Sequence, residues 1–189
     1  MSAEDSDDRG FSYELLEGFY SRKPLDVKTG AAVADALSKR SAADPLVVLN
    51  LYWSGLGAGD ARPRPADVNP ADISSRVLGH VVILDVEEDG PRRYRYRLVG
   101  TAVEAVFGGD YTGRYMDEFV HGEFYERVRA AYDLVCDEKV PVMFSGAYIR
   151  RSGDLYEVSR IALPLFSDAG TVERILTAVV REGDAISFA

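Results

Sequence analysis

Cysteine occurs once in this 189-residue sequence, at Cys136, histidine twice, at His80 and His121, and tryptophan once, at Trp53. A single thiol cannot close an internal disulfide, and with two scattered histidines it cannot assemble a structural metal site, so no metal and no bridge is expected to hold the chain together. No apolar run approaches the roughly 18 residues that cross a bilayer. The first ten residues, MSAEDSDDRG, are acidic where a secretory leader starts basic. A soluble, cytoplasmic protein is the expectation. Basic charge is also scarce: 22 Lys and Arg stand against 31 Asp and Glu, a net charge of −9. A phosphate backbone is repelled overall, so neither nucleic acid nor a membrane is an expected partner. Internal repeats are lacking, and low complexity is confined to the acidic tail.

Apolar material is plentiful, at 47% hydrophobic and 11% aromatic residues. A domain of about 150 residues hides about 68–70% of its unfolded surface, so this chain can build a core without staples. Residues 1–10 read as a polar tail that cannot offset its ordering entropy. In FSYELLEGFY, Phe11, Leu15 and Phe19 fall at i, i+4 and i+8, which predicts a short helix with one apolar face; it docks on its own domain or on another chain. A modest helix is expected over 31–40. A second begins at Asp44-Pro45, an N-cap with proline in the first turn, and is apolar almost all round until Gly55, Gly57 and Gly59 end it. Such a helix needs cover on most sides. The proline-rich 60–72 stretch reads as a rigid surface connector.

From Val81 the period becomes two. VVILDVE reads as a buried strand, and RRYRYRLVG sets Tyr94, Tyr96 and Leu98 on one face with Arg93, Arg95 and Arg97 on the other. A short helix over 101–107 leads into FGGDYTGRYMDEF, where Gly108 and Gly109 are expected to end that helix at positive φ, Gly113 to permit the next turn, and Phe107 and Met116 to point inward. The segment is no phosphate loop, since Arg114 stands where a lysine is required. HGEFYERVRAAYDLVCDEK then places Phe124, Val128, Ala131 and Val135 at helical spacing, flanked by Tyr125, Tyr132 and Cys136. PVMFSGAYIR, LYEVSRIALPLF and VERILTAVVRE, joined by short turns, predict an antiparallel meander. The order of elements predicts an α+β fold: a five-stranded antiparallel sheet with helices packed on one face, plus an N-terminal helical extension. Both faces of the central strand are apolar, Val142, Phe144 and Tyr148 against Met143, Ala147 and Ile149. The 45–54 helix, from this chain or from a second copy, is the expected cover for the second face.

GGDYTGRYMDEFVHGEF, IRRSGDLYEVSRIALPLFSDAG and VERILTAVVRE, in that order and spacing, resemble the PAS domain, the small sensory fold of bacterial signalling proteins, over residues 78–182. Residues 46–120, with LYW, RPRPADVNPADI and YRYRLVGTAVEAVFGGDYTGR, resemble a subfamily of stand-alone PAS proteins found mainly in alphaproteobacteria. The corresponding division is 1–43 as tail and helical extension, 44–77 as capping helix and connector, and 78–184 as the PAS domain. The resemblance implies a noncatalytic sensory or regulatory module that binds a small molecule, a signalling protein partner, or both. With no kinase, cyclase or DNA-binding segment in the sequence, output is expected through a partner, and a homodimer through the N-terminal helix or a sheet face is expected.

The cavity between sheet and long helix holds the ligand in PAS domains. Facing apolar positions nominate Tyr96, Leu98, Phe107, Met116, Phe124, Val128, Phe144 and Tyr148, with Arg160 as a polar anchor; packed core is the competing reading of the same side chains. No cofactor is required by the sequence, and haem or flavin is an alternative. His121 stands at the start of the long helix, where an end position suits it better than an iron ligand, and His80 reads as a packing or surface residue. Cys136 reads as a buried, inert thiol rather than a photoadduct cysteine. The arginine stripe is either paired with nearby carboxylates or a site for an anion or acidic partner. No local nucleophile–base motif is present, so no catalytic residue is assigned. Tyr96, Tyr125 or Tyr148 with Asp117 leave an isomerase-like enzyme on a small α+β cone as a further alternative.

Overall fold

A computed structural model describes residues 24–56, 62–149 and 155–186. The helix expected over 11–20 lies outside them. The chain forms β1 (Asp26–Thr29), α1 (Ala31–Ser38), α2 (Pro45–Leu56), α3 (Ser75–Leu78), β2 (Val81–Glu87), β3 (Arg93–Val99), α4 (Thr101–Phe107), α5 (Gly122–Glu138), β4 (Val142–Ile149), β5 (Leu155–Phe166) and β6 (Val172–Ile186). The strands make one antiparallel sheet in the order β1-β4-β5-β6-β2-β3.

The expected meander is β4-β5-β6, and the sheet has six strands rather than five. The added strand, β1, is four residues long, mostly exposed, and pairs Asp26 with Ser145 through to Thr29 with Val142 at the sheet edge. Its sequence, DVKT, carries one apolar residue and so no alternation to detect.

Each face of the sheet has its own core. On one side α5 lays Val128, Ala131, Tyr132 and Val135 over Leu84, Tyr94, Val142, Phe144, Val158 and Ile175. On the other, Val33 and Leu37 of α1, Leu46 and Leu49 of α2 and Val77 of α3 cover Met143, Ile161, Leu163, Leu165, Leu176 and Ala178. The 45–54 segment therefore covers the second face from within the same chain. Asp44 caps it as its residue type demands, accepting from the Leu46 amide at 2.8 Å. The indole Nε1 of Trp53 donates to the Pro164 carbonyl at 2.8 Å and pins the helix to β5. Cover on most sides is not what α2 receives, however: Leu51 is 64% exposed, because the helix lies on the sheet as an outer layer.

The turn chemistry is partly as expected. Gly108 ends α4 at φ 89° and Gly113 turns at φ 85°, whereas Gly109 keeps negative φ, since one left-handed residue is enough to terminate the helix. The proline-rich connector resolves into two single 3-10 turns, Pro65–Asp67 and Pro70–Asp72, and the hydroxyl of Tyr52 holds the Asn69 amide at 2.9 Å.

Candidate functional site

A register shift in the β2–β3 hairpin determines which side chains of β3 face inward. Leu84 pairs with Tyr96, but Ile83 pairs with Leu98, so Arg97 is the extra residue of a bulge. Strict alternation from Tyr94 through Tyr96 would carry Leu98 to the α5 side. The bulge turns it to the opposite face, where it is 37% exposed, and its assignment to the cavity is corrected accordingly.

The other candidates converge. Tyr96 of β3, Phe107 of α4, Met116, Phe124 and Val128 of α5, Tyr148 of β4 and Arg160 of β5 line one internal cavity between the sheet and α5. Phe144 sits one layer behind, fully buried, with its ring edge-on to Tyr132 at 5.3 Å. Phe119, Val120 and Tyr132 also line the cavity and were not among the candidates. Tyr132 follows Val128 by one helical turn, a spacing that could have nominated it. Phe119 follows from no periodicity, because it ends a 3-10 turn.

Rings make up most of the wall. Phe119 stacks on Tyr111 at 4.0 Å, Tyr96 leans on Phe119 at 5.5 Å, and Phe107 meets Tyr148 at 5.3 Å. The volume left among them is about 20 Å³, room for about one or two waters. Burial pushes the Tyr96 and Tyr132 phenols upward, away from ionisation, so both can donate; the Arg160 charge partly pulls each back. Arg160 is 4% exposed. Its guanidinium lies over Phe144 at 5.4 Å and Phe107 at 5.8 Å. Among the described residues it makes no hydrogen bond and no ion pair.

The arginines of the stripe are in a different state. Arg93 grips Asp117 through two bonds of 2.7 Å, Arg95 reaches Glu87 and Asp85 at 3.0 and 3.2 Å, and Arg97 lies 3.6 Å from Asp85. Their charges are met by carboxylates on the same face, as the pairing alternative has it. Bound in this way, Asp117 is held below the usual carboxylate range by Arg93, which ill suits a general base. Neither Asp117 nor Tyr125 lines the cavity that holds Tyr96 and Tyr148.

A family model described as a PAS domain matches residues 41–180. The chain belongs to the PAS domain family. This PAS domain is a sensory module, with the sheet and helices its family implies. Among solved structures it is similar to the light-state structure of the blue-light photoreceptor Aureochrome1 LOV, with 13% identity, 58% of this chain and 85% of that one covered, and a TM-score of 0.43. It is similar also to a sensory box histidine kinase/response regulator from Burkholderia thailandensis, with 15% identity, coverage of 55% and 77%, and a TM-score of 0.38. A third is the N-terminal domain of a diguanylate cyclase with PAS/PAC sensor from Marinobacter aquaeolei, with 14% identity, coverage of 53% and 94%, and a TM-score of 0.42. No curated protein matches the sequence.

The residues of the PAS cavity do not fit a haem or a flavin photoadduct. No histidine or cysteine is in its lining. His121 is exposed at the N-cap of α5, where its ring makes no capping bond, and the His80 ring lies 3.0 Å from the Val179 carbonyl. Cys136, at the far end of α5, contacts the Tyr94 hydroxyl at 3.8 Å, and burial pushes its thiol up to about 11. Maleimide at pH 8 should therefore alkylate Cys136 more than about a hundredfold slower in the folded protein than in urea. Equal rates would show the thiol to be open. No group of three or more metal-binding side chains occurs among the described residues, and no helix there is long and apolar enough to cross a membrane.

Proposed function

We propose that this PAS domain is a noncatalytic cytoplasmic sensor that takes a small organic molecule into the cavity between sheet and α5 and passes its state to a signalling protein. One observation carries the reading: an aromatic-walled cavity that gathers a buried cation and two neutral phenols, Arg160, Tyr96 and Tyr132, away from the charge pairs of the surface. A cavity lined mainly by apolar side chains with a few converging polar groups is the usual form of a small-molecule site; at about 20 Å³ this one takes its ligand by displacing its aromatic rings. Because α2 covers the second sheet face in cis, the contact proposed for a homodimer falls to residues 11–20.

Native mass spectrometry of the purified full chain tests this. The expected spectrum has a fraction of the protein carrying the added mass of one small organic molecule, with no visible absorbance. A protein of bare mass that binds no small molecule yet captures a kinase or regulator would replace the sensor reading with that of an adaptor. A visible absorption band would overturn it in favour of a chromophore.

A further inference from the structure

We propose that the ligand is an organic monocarboxylate, its carboxylate seated on the guanidinium of Arg160 and its apolar body entering among Phe107, Phe119 and Phe124, whose rings move apart to admit it because the space between them holds only about one or two waters; this rests on the small-molecule reading above. Among the described residues, the half-buried arginines elsewhere are all supplied with acids. Arg40 holds Asp44 and Glu182, Arg92 holds Glu88, Asp133 and Asp137, and Arg174 holds Asp85. Arg160 is more deeply buried than any of these and has none, although the chain carries 31 acidic residues. An unpaired charge inside a protein is costly, and two phenyl faces offset only part of that cost. Its place is also central. On β5 it pairs with Phe144 of β4 and Val179 of β6, both in the α5-side core, so its side chain rises from the middle of the sheet into the cavity.

The surroundings define the charge and shape of what completes it. A guanidinium presents a planar fork that matches a carboxylate through two parallel bonds. The Tyr96 phenol, which has no hydrogen-bond partner among the described residues, can donate to the same anion. Tyr132 reaches toward Thr177, whose buried hydroxyl has no partner at normal distance. One cation balances one carboxylate; a second carboxylate or a phosphate dianion would leave excess negative charge against aromatic walls. A neutral ligand would leave Arg160 as it stands.

Isothermal titration calorimetry and thermal melts of the full chain, with acetate, propionate, benzoate and phenylacetate against their primary amides and inorganic phosphate, decide the matter. At least one acid is expected to bind and raise Tm, with its amide at least tenfold weaker and phosphate without effect. Arg160→Met should weaken that acid about a hundredfold while its circular dichroism stays native and its ligand-free Tm rises, because an unpaired charge has left the core. Arg160→Lys, which keeps the charge and loses the fork, should fall between. Amides binding as tightly as acids, or Arg160→Met retaining full affinity, would overturn the carboxylate assignment and leave the sensor reading standing. Failure of every acid and amide to bind, together with a bare native mass, would overturn both.

Discussion

Replacing Leu49 with alanine should lower the unfolding free energy by about 2–5 kcal/mol, the usual cost of emptying a fully buried leucine position. In a chain of this length that is a fall in Tm of about 2–4 °C for each kcal/mol. Leu49 and Leu46 are both at 0% exposure, wedged over Ile161, Leu163 and Leu176, and Trp53 ties the same helix to the Pro164 carbonyl. Total stabilities of single domains run to only about 5–15 kcal/mol, so the Leu46→Ala, Leu49→Ala double variant should be largely unfolded near 37 °C. Leu51→Ala supplies the control. It lies on the same helix at 64% exposure, and its replacement should change stability by less than about 0.5 kcal/mol. Chemical denaturation of the three variants reads the pattern, and equal losses at Leu49 and Leu51 would show that α2 does not pack on its own sheet. Deleting residues 1–58 should likewise give a domain that aggregates, with the α2 side of β5 and β6 laid bare.

What is legible in the sequence is whatever repeats locally. Tyr94 and Tyr96 alternate, Val128, Ala131 and Val135 recur at helical spacing, and glycine marks the end of α4 at Gly108. From these came the order of elements and, once the resemblance to PAS domains located a cavity between sheet and long helix, seven residues of its lining. The features that escaped depend on pairing across the sheet. β1 gains its hydrogen bonds only from β4, so its four residues carry no pattern of their own. The inversion of Leu98 arises from the bulge opposite Ile83 and Leu84, which is a property of two strands together. The charge state of each arginine is equally nonlocal. Arg93 and Arg160 have the same side chain on two strands of one sheet, yet one meets Asp117, 24 residues away, and the other meets only rings. Sequence patterning could place Arg160 in the cavity. That it stands there without a counter-charge could be seen only from the fold.

Gly100→Ala should be the most damaging of the glycine substitutions, costing about 3 kcal/mol or more, at or beyond the upper end of ordinary overpacking. Its backbone, at φ −76° and ψ 151°, is one that any residue adopts. Glycine is required there for space. A Cβ at this position would overlap the Gly79 carbonyl oxygen and come within 2.6 Å of both the Gly79 carbon and the Leu78 oxygen, all of them backbone atoms that cannot rotate away. The Gly79 carbonyl accepts from the amides of Ala102 and Val103 at 2.9 and 3.2 Å, while the Gly100 amide donates to Val81 at 2.8 Å. Forcing the two backbones apart would therefore loosen the start of α4 and the hairpin edge together. Since α4 carries Phe107, whose ring lies under Arg160, benzoate or phenylacetate affinity should fall along with stability. Gly109→Ala is the matched comparison: a Cβ there meets open space and φ is negative, so stability should be unchanged or rise by up to about 1 kcal/mol through the less flexible unfolded chain. Calorimetric melts of both variants check this. A Gly100→Ala protein melting within a degree of wild type would mean that the close crossing of Gly79 and Gly100 is not part of the folded state.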